Sequence, residues 1–264
     1  MAKKQAIAII PARMGATRFP GKPLASDTGL PMIVHVCQQA AKAASVANVV
    51  VATDSIEIVR AVKAHGHDAV MTGAHHDNGT SRLAEAVRTM GLRDSQPIVN
   101  VQGDEPEIDP HIIDAALLAL TTRQQPPNTT PLRLGTVASP MTDPSQHNDP
   151  NIVKVVTGLI EPDTATAQAL YFSRAPIPYD RDHNAAARPL RHVGIYAYSG
   201  MALTHYAGLP PTPLEQAEKL EQLRWLEHGL PIQAAIRNTT HQGIDTPEQY
   251  QAFVQRYKDA NAHR

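Results

Sequence analysis

An α/β fold built on a mostly parallel sheet, with a smaller β-rich lobe, is what this sequence predicts, and three observations predict it. Short apolar runs alternate with segments of helical period through the first half, which is the βαβα pattern of a parallel sheet. Those runs are apolar throughout instead of alternating, as strands covered on both faces are. Past residue 131 the pattern changes to closely spaced strand-like segments with few helix formers between them.

In chain order, the first run is Ala6-Ile-Ala-Ile-Ile10, the second Asn48-Val-Val-Val-Ala-Thr53 and the third Pro97-Ile-Val-Asn-Val101. Between the first two, Pro31 opens a helix with Ile33, Val36, Cys37, Ala40 and Ala44 on one stripe, which puts Cys37 in a core. Further helices are expected over about 55–65, 80–90 and 110–122. Gln124-Gln-Pro-Pro-Asn-Thr-Thr-Pro131 shifts to proline and small polar residues and marks a surface connection. Strands then follow near 133–138, 151–156, 168–172 and 191–198, with a helix from about 213 to 228 and a last one from Pro247 to about 258. The simplest division is an α/β domain over 1–131 and 207–264, interrupted by a lobe over 132–206.

The chain has 264 residues with 25 acidic and 24 basic side chains, so its formal charge of −1 argues against a general nucleic-acid binder. Cys37 is the sole cysteine, which excludes an intrachain disulfide and any Cys₄ or Cys₂His₂ zinc site. The run from Ala6 to Ile10 is too short for a signal-peptide core, and no run approaches the roughly 18 apolar residues of a membrane span. A protein of the reducing cytoplasm, not bound to a membrane, is the expectation.

Directly after the first strand comes Pro11-Ala-Arg-Met-Gly-Ala-Thr-Arg-Phe-Pro-Gly-Lys-Pro23, with Arg13, Arg18 and Lys22 and no acid before Asp27. Ligands of open α/β sheets bind beyond the carboxyl ends of strands, where this loop begins. Glycines at 15 and 21 admit an anion to backbone amides and the cations supply opposite charge, which suits a polyphosphate. The loop is neither a Walker loop, since Pro23 stands where Ser or Thr would be needed, nor a G-x-G-x-x-G. From spacing alone, a solvated basic loop is an equal reading. Asn100-Val-Gln-Gly-Asp-Glu-Pro106 follows the third strand, so Asp104 emerges at the same edge. A carboxylate facing a triphosphate is what magnesium requires; the plainer alternative is a turn before Pro106.

These motifs, with Val51-Ala-Thr-Asp54, Tyr171-Phe-Ser-Arg-Ala175, Arg191-His-Val-Gly-Ile-Tyr196, Pro213-Leu-Glu215, Leu220-Glu-Gln-Leu-Arg224 and Gly243-Ile-Asp-Thr-Pro247, resemble the 3-deoxy-manno-octulosonate (Kdo) cytidylyltransferases in order over nearly the whole chain. The resemblance implies a Rossmann-like nucleotidyltransferase sheet whose first domain binds nucleotide and whose 132–206 lobe binds sugar and dimerises. It implies transfer of CMP from CTP to the anomeric hydroxyl of Kdo, with release of pyrophosphate, for lipopolysaccharide biosynthesis. Arg13, Lys22, Asp104 and Asp245 are the implied catalytic residues, with Mg²⁺ on Asp104 and Asp245 and a second ion on the triphosphate. Nucleotide contacts are implied for Ala12, Arg13, Thr17, Arg18, Lys22, Asp54, Gly79, Thr80, Arg82 and Gln102. The sugar falls to Gln102, Arg174, His192, Tyr196, Glu215 and Gln222.

Read alone, His192 is a core histidine and Arg174 a surface arginine; beside a sugar acid, a guanidinium fork suits the carboxylate. Glu215 and Gln222, seven apart in the expected helix, share a face, and Glu218 can substitute for either. In Asn78-Gly-Thr-Ser-Arg82, Ser81 replaces the acid that this segment carries in the family, which leaves the helix start without that carboxylate. His75 and His76 suggest a metal, but neighbours on a helix point apart and no third ligand is evident, so they read as surface residues. A homodimer is implied, for which Val193, Ile195, Tyr196 and Tyr198 offer apolar area unless they are internal core. Alternative substrates are 8-amino-Kdo and a sialic acid, and a reading of a different class is a non-catalytic nucleotide-binding regulator.

Overall fold

The computed structural model describes residues 5–15, 18–76, 78–122, 132–182, 188–240 and 243–262. Thr17 and the whole of the expected connection over 124–131 lie outside them. In chain order the elements are β1 (Ala6–Ala12), α1 (Met32–Lys42), β2 (Val46–Thr53), α2 (Ile56–Ala64), β3 (Asp68–Met71), α3 (Gly79–Thr89), β4 (Pro97–Asn100) and α4 (Pro110–Thr121). They continue with β5 (Leu134–Pro140), α5 (Ser145–Asn148), β6 (Lys154–Thr157), β7 (Thr166–Ser173) and β8 (Leu190–Ser199). Then come α6 (Gly200–Gly208), α7 (Pro213–Glu218), α8 (Glu221–Glu227), β9 (Ile232–Ile236) and α9 (Pro247–Ala262).

The chain divides into two compact units, the first comprising Met1–Leu92, Asn100–Ile113 and Thr240–Arg264. Its strands β1, β2 and β3 are parallel, with Ile9 opposite Val50, Ala12 opposite Thr53 and Thr53 opposite Met71. Ala8, Ile9 and Ile10 are fully buried, as their unbroken apolar run requires. On α1, Ile33, Val36, Cys37 and Ala40 are buried as expected. Ala44 is exposed, because Ala43 leaves helical geometry and ends the helix first. Burial pushes the Cys37 thiol up to about 12, so it packs as a small hydrophobe. Met32, Ile244, Tyr250, Phe253 and Val254 form a core cluster that fastens α9 to this unit.

The second unit comprises Arg93–Val99 and Asp114–Thr239 and is predominantly antiparallel. β5 pairs with β8 antiparallel and with β9 in parallel, β9 with β7, β7 with β6 and β6 with β8, all antiparallel, closing a ring of five strands. This unit extends beyond the expected 132–206 because β9, which the sequence reading lacked, inserts between β5 and β7. Its core takes in Val193, Ile195 and Tyr198, so those side chains are internal and not the apolar area of a partner surface. The large exposed apolar side chains include Leu159 and Ile160 on the β6–β7 connection, Leu170 on β7, and Tyr179. Among the described residues no helix is long and apolar enough to cross a membrane.

Candidate active site

The first unit gathers four of the expected residues at one place. Ala12 closes β1, and Arg13 follows it exposed. The loop then folds back so that the Gly21 amide donates to the Met14 carbonyl at 3.3 Å, just before Lys22. Lys22 Nζ donates to Asp104 Oδ2 at 3.0 Å and to the Ile244 carbonyl at 2.7 Å, and lies 3.7 Å from Asp245 Oδ1. Its side chain is only 12% exposed. Arg18 pairs with the other Asp245 oxygen at 3.1 Å.

Local backbone chemistry sets each of these groups. The Val101 amide donates to the Ile9 carbonyl at 3.3 Å, carrying the chain that leads to Asp104 alongside β1. Gly103 sits so close to β1 that a Cβ there would lie 2.7 Å from the Pro11 carbonyl oxygen. The Ile244 amide donates to the Asp104 carbonyl at 2.8 Å, buckling the two acidic loops together. Asp245 then precedes a reciprocal capping box at the start of α9. There Gln249 Oε1 accepts from the Thr246 amide at 3.1 Å and the Gln249 amide donates to Thr246 Oγ1 at 3.3 Å.

Asp54 and Arg82 come together elsewhere in the same unit. Arg82 Nη2 donates to Asp54 Oδ2 at 3.0 Å, while Nη1 donates to Thr72 Oγ1 at 2.7 Å and to the Gly73 carbonyl at 3.3 Å. Arg82 is buried, so it braces the ends of β2 and β3 against α3 instead of standing in a phosphate path. Gly79 and Thr80 form the first turn of α3, and Gln102 is half-buried between Val101 and Gly103. The missing acid at Ser81 leaves no defect in the helix start, because Asn78 Oδ1 accepts from the Ser81 amide at 2.8 Å. His75 and His76 lie in the turn before α3, not on a helix, and Glu85 joins them as a third potential ligand. The expectation that they diverge on a helix without a third neighbouring group is corrected accordingly, while His75 is exposed as expected of a surface residue.

In the second unit the expected sugar residues are neutral or already paired. Thr136 Oγ1 donates to the Ile195 carbonyl at 2.8 Å and sits 2.9 Å from His192 Nε2. A hydroxyl has one hydrogen, so it accepts from His192, which fixes Nε2–H and leaves Nδ1 as the acceptor. Desolvation pulls the His192 imidazole down to about 3, keeping it neutral. Its ring contacts Phe172 and Tyr196 at centroid distances of 5.0 and 5.3 Å. Tyr196 donates to Gln222 Oε1 at 3.0 Å, and its phenol is held well above its usual range, chiefly by desolvation. Arg174 Nε donates to the Glu218 carbonyl at 2.8 Å and Nη1 to the Pro150 carbonyl at 2.9 Å.

The single helix expected over 213–228 is two. Lys219 takes left-handed geometry with φ of 55° and ends α7, so the common-face argument for Glu215 and Gln222 fails. Glu215 instead receives the Arg224 fork, Nε to Oε2 and Nη2 to Oε1, both at 2.6 Å. Its Oε2 also accepts from the Thr212 amide at 3.4 Å, at the start of α7. Glu218 accepts from Ser173 Oγ at 2.6 Å and from the Arg174 amide at 2.9 Å, making it an anchor for the end of β7. The sequence reading missed Lys154, which is fully buried with Nζ donating to the carbonyls of Asp149, Ile152 and Arg174 at 2.6–2.9 Å. A lysine inside the apolar run Ile152-Val-Lys-Val-Val156 was its signal.

The first unit is thus a parallel α/β unit with a cation loop and two converging carboxylates at the ends of its strands. Residues 7–234 match the family model for cytidylyltransferases. A 3-deoxy-manno-octulosonate cytidylyltransferase from Syntrophobacter fumaroxidans is 45% identical over 251 residues, covering 94% of this chain and 95% of that one. One from Leptothrix cholodnii is 46% identical over 250 residues, covering 91% and 87%. A solved structure of CMP:2-keto-3-deoxy-manno-octonic acid synthetase complexed with CTP superposes with a TM-score of 0.85 at 38% identity, covering 97% of this chain and 99% of that one. The chain belongs to the cytidylyltransferase family and, within it, to the 3-deoxy-manno-octulosonate cytidylyltransferases.

Proposed function

We infer that this chain transfers CMP from CTP to the anomeric hydroxyl of Kdo, releasing pyrophosphate. Family membership supports the reaction, and the convergence of Asp104, Asp245 and Lys22 is the single observation that carries the chemistry. In-line displacement at the α-phosphorus needs little covalent help from a protein; it needs positioning and charge. Lys22, with Arg13 and Arg18, meets the charge that gathers on the phosphates in the transition state.

Magnesium dependence is part of the proposal. The donor set around Lys22 Nζ is entirely oxygen, two carboxylates and the Ile244 carbonyl, and these oxygens already surround one positive charge. Such a set fits a hard divalent cation, and Asp104 and Asp245 would hold it. When bound there, the ion supplies charge that lowers the pKa of the attacking hydroxyl and offsets that of the leaving pyrophosphate. Lys22 shifts its donation from the acids to phosphate oxygens as CTP arrives.

Thr17, Asp54, Gly79, Thr80, Arg82 and Gln102 are proposed for the nucleotide, Asp54 and Arg82 as the brace that shapes its floor. For the sugar acid, Arg174 offers its guanidinium to the carboxylate, His192 Nδ1 accepts from a hydroxyl, and Gln102, Tyr196 and Gln222 supply further hydrogen bonds. Glu215 acts with Arg224 as an ion pair. The cytoplasm, the supply of Kdo to lipopolysaccharide, and a homodimer are proposed with this activity. The exposed Leu159, Ile160 and Leu170 offer apolar area for the dimer. Sedimentation velocity tests it: a 28.6 kDa species at micromolar concentration rules out a stable dimer.

The decisive assay measures pyrophosphate release from CTP with magnesium, offering Kdo, 8-amino-Kdo and N-acetylneuraminate in parallel. Fastest release with Kdo is expected, and it should vanish when the metal is chelated. Release with none of the three sinks the activity.

A further inference from the structure

We propose that His75, His76 and Glu85 form a binding site for a borderline transition-metal dication such as zinc, separate from the magnesium carboxylates Asp104 and Asp245. One ligand atom from each of the three lies within 4.8 Å of the others. A zinc ion at about 2.0–2.2 Å from tetrahedral ligands sets neighbouring ligand atoms about 3.3 Å apart, so closure requires adjustment mainly of the exposed His75.

Surrounding groups orient the ligands as metal sites demand. His76 Nδ1 lies 3.2 Å from Ser81 Oγ, which directs Nε2 toward Glu85 Oε2, its hydrogen-bond partner. The Gly73 amide donates to both Glu85 oxygens at 3.1 Å, fixing the carboxylate plane. Pairing of this kind fixes tautomer and aim in metal-ligating residues. The His75 ring passes over Gly73 so closely that a Cβ there would lie 2.4 Å from it. The two imidazoles lie with centroids 4.4 Å apart, both turned to one side of the loop.

The donor set selects the ion. Two imidazoles and one carboxylate suit zinc, cobalt or nickel, whereas magnesium prefers oxygen alone. Three protein ligands leave a fourth position for water or an added group. Because His75 and His76 precede α3 and Glu85 lies within it, the ion would staple the turn carrying Asn78, Gly79 and Thr80 to the helix.

The test uses the untagged full chain, stripped with chelator and titrated with cobalt(II) while visible absorption is recorded, and with zinc by calorimetry. One equivalent should bind with micromolar or better affinity and give the intense bands of tetrahedral cobalt. His75→Ala, an exposed change that leaves the fold intact, should weaken binding at least about tenfold, by analogy with the 10–100-fold that even supporting groups around a metal are worth. Asp245→Ala should leave it unchanged. The chain has 13 histidines, so binding that His75→Ala does not alter is adventitious and overturns the site. Absence of saturable binding overturns it equally. His76→Ala and Glu85→Gln also lose the loop contact, so their metal affinities count only where circular dichroism matches the parent.

Discussion

The two units solve the problem of holding polar groups in opposite ways. In the first, Arg18, Lys22, Asp104 and Asp245 neutralise one another across partly open loops, at 3.0–3.7 Å. In the second, two neutral hydrogen-bonded pairs, Thr136 with His192 and Tyr196 with Gln222, meet where the His192 ring packs on that of Tyr196. Charges that pair with each other can exchange partners when a polyanion and a cation arrive, at little desolvation cost. Neutral buried pairs hold fixed directions instead, because breaking one leaves a desolvated polar group without its partner. The contrast teaches that the charged cluster can trade partners while the neutral pairs are set in advance.

The strongest way to break that contrast is to remove a charge from the first cluster. Asp245→Ala and Lys22→Ala should each lower kcat by about 10²–10³-fold, in line with losing one preorganised charge contact, while the melting temperature stays within a few degrees. Steady-state kinetics and a melting curve check both. An effect confined to KM would demote Lys22 to ground-state binding, and near-normal turnover of Asp245→Ala would refute its metal role.

Glu215→Ala probes a deeply placed ion pair of the second unit, whose side chains are 11% and 13% exposed. Leaving Arg224 unpaired should cost about 3 kcal/mol, seen in denaturant unfolding. A loss of stability together with unchanged kcat in the folded fraction would sharpen the contrast between structural and rearranging charges. Gly103→Ala tests the close approach that brings Asp104 beside β1. The added methyl must displace the Pro11 carbonyl, and about 1–3 kcal/mol of stability should be lost.

The last effect concerns pH; it is small just below neutrality and grows with acidity. His192 sits near 3 in the folded chain and near 6.5 when unfolded, so between those values the unfolded state binds the extra proton. Stability therefore falls as pH drops from about 6.5 toward 3, and the dependence should flatten in His192→Asn. Chemical denaturation at stepped pH measures it. An imidazole resonance that titrates near neutrality would show that the network is not closed to water.

Much of the first unit was legible because its signals are local. Unbroken apolar runs located β1 and β2, a helical stripe located α1, and glycine and cation spacing located the loop that carries Arg13, Arg18 and Lys22. Lys22, Asp104 and Asp245 could be named because each sits in a compact motif beside a strand end or a helix cap. β3 escaped because its half-exposed Asp68-Ala-Val-Met71 has no continuous apolar run. β9 escaped because Ile232-Gln-Ala-Ala-Ile236 is short and rich in alanine, and its strand character comes from neighbours on both sides. The break at Lys219 had no glycine or proline to announce it. The His75-His76 reading failed for a related reason: the turn that draws them together, and the carboxylate a full turn into α3, are set by the packing of that helix.

Sequence order alone was enough for the α/β class, for the sign and position of the cationic loop, and for the acids that face it, since each depends on residues close along the chain. Folding alone assigned the partners: Arg82 to Asp54, Arg224 to Glu215, Lys154 to three carbonyls and His192 to Thr136. The physical reason is that a hydrogen bond or ion pair in a desolvated place is decided by which distant segment arrives there. Arg191 illustrates it. Its motif neighbour His192 was assigned to the sugar, while the fold binds the Arg191 guanidinium to the Thr239 carbonyl, 48 residues away in the chain.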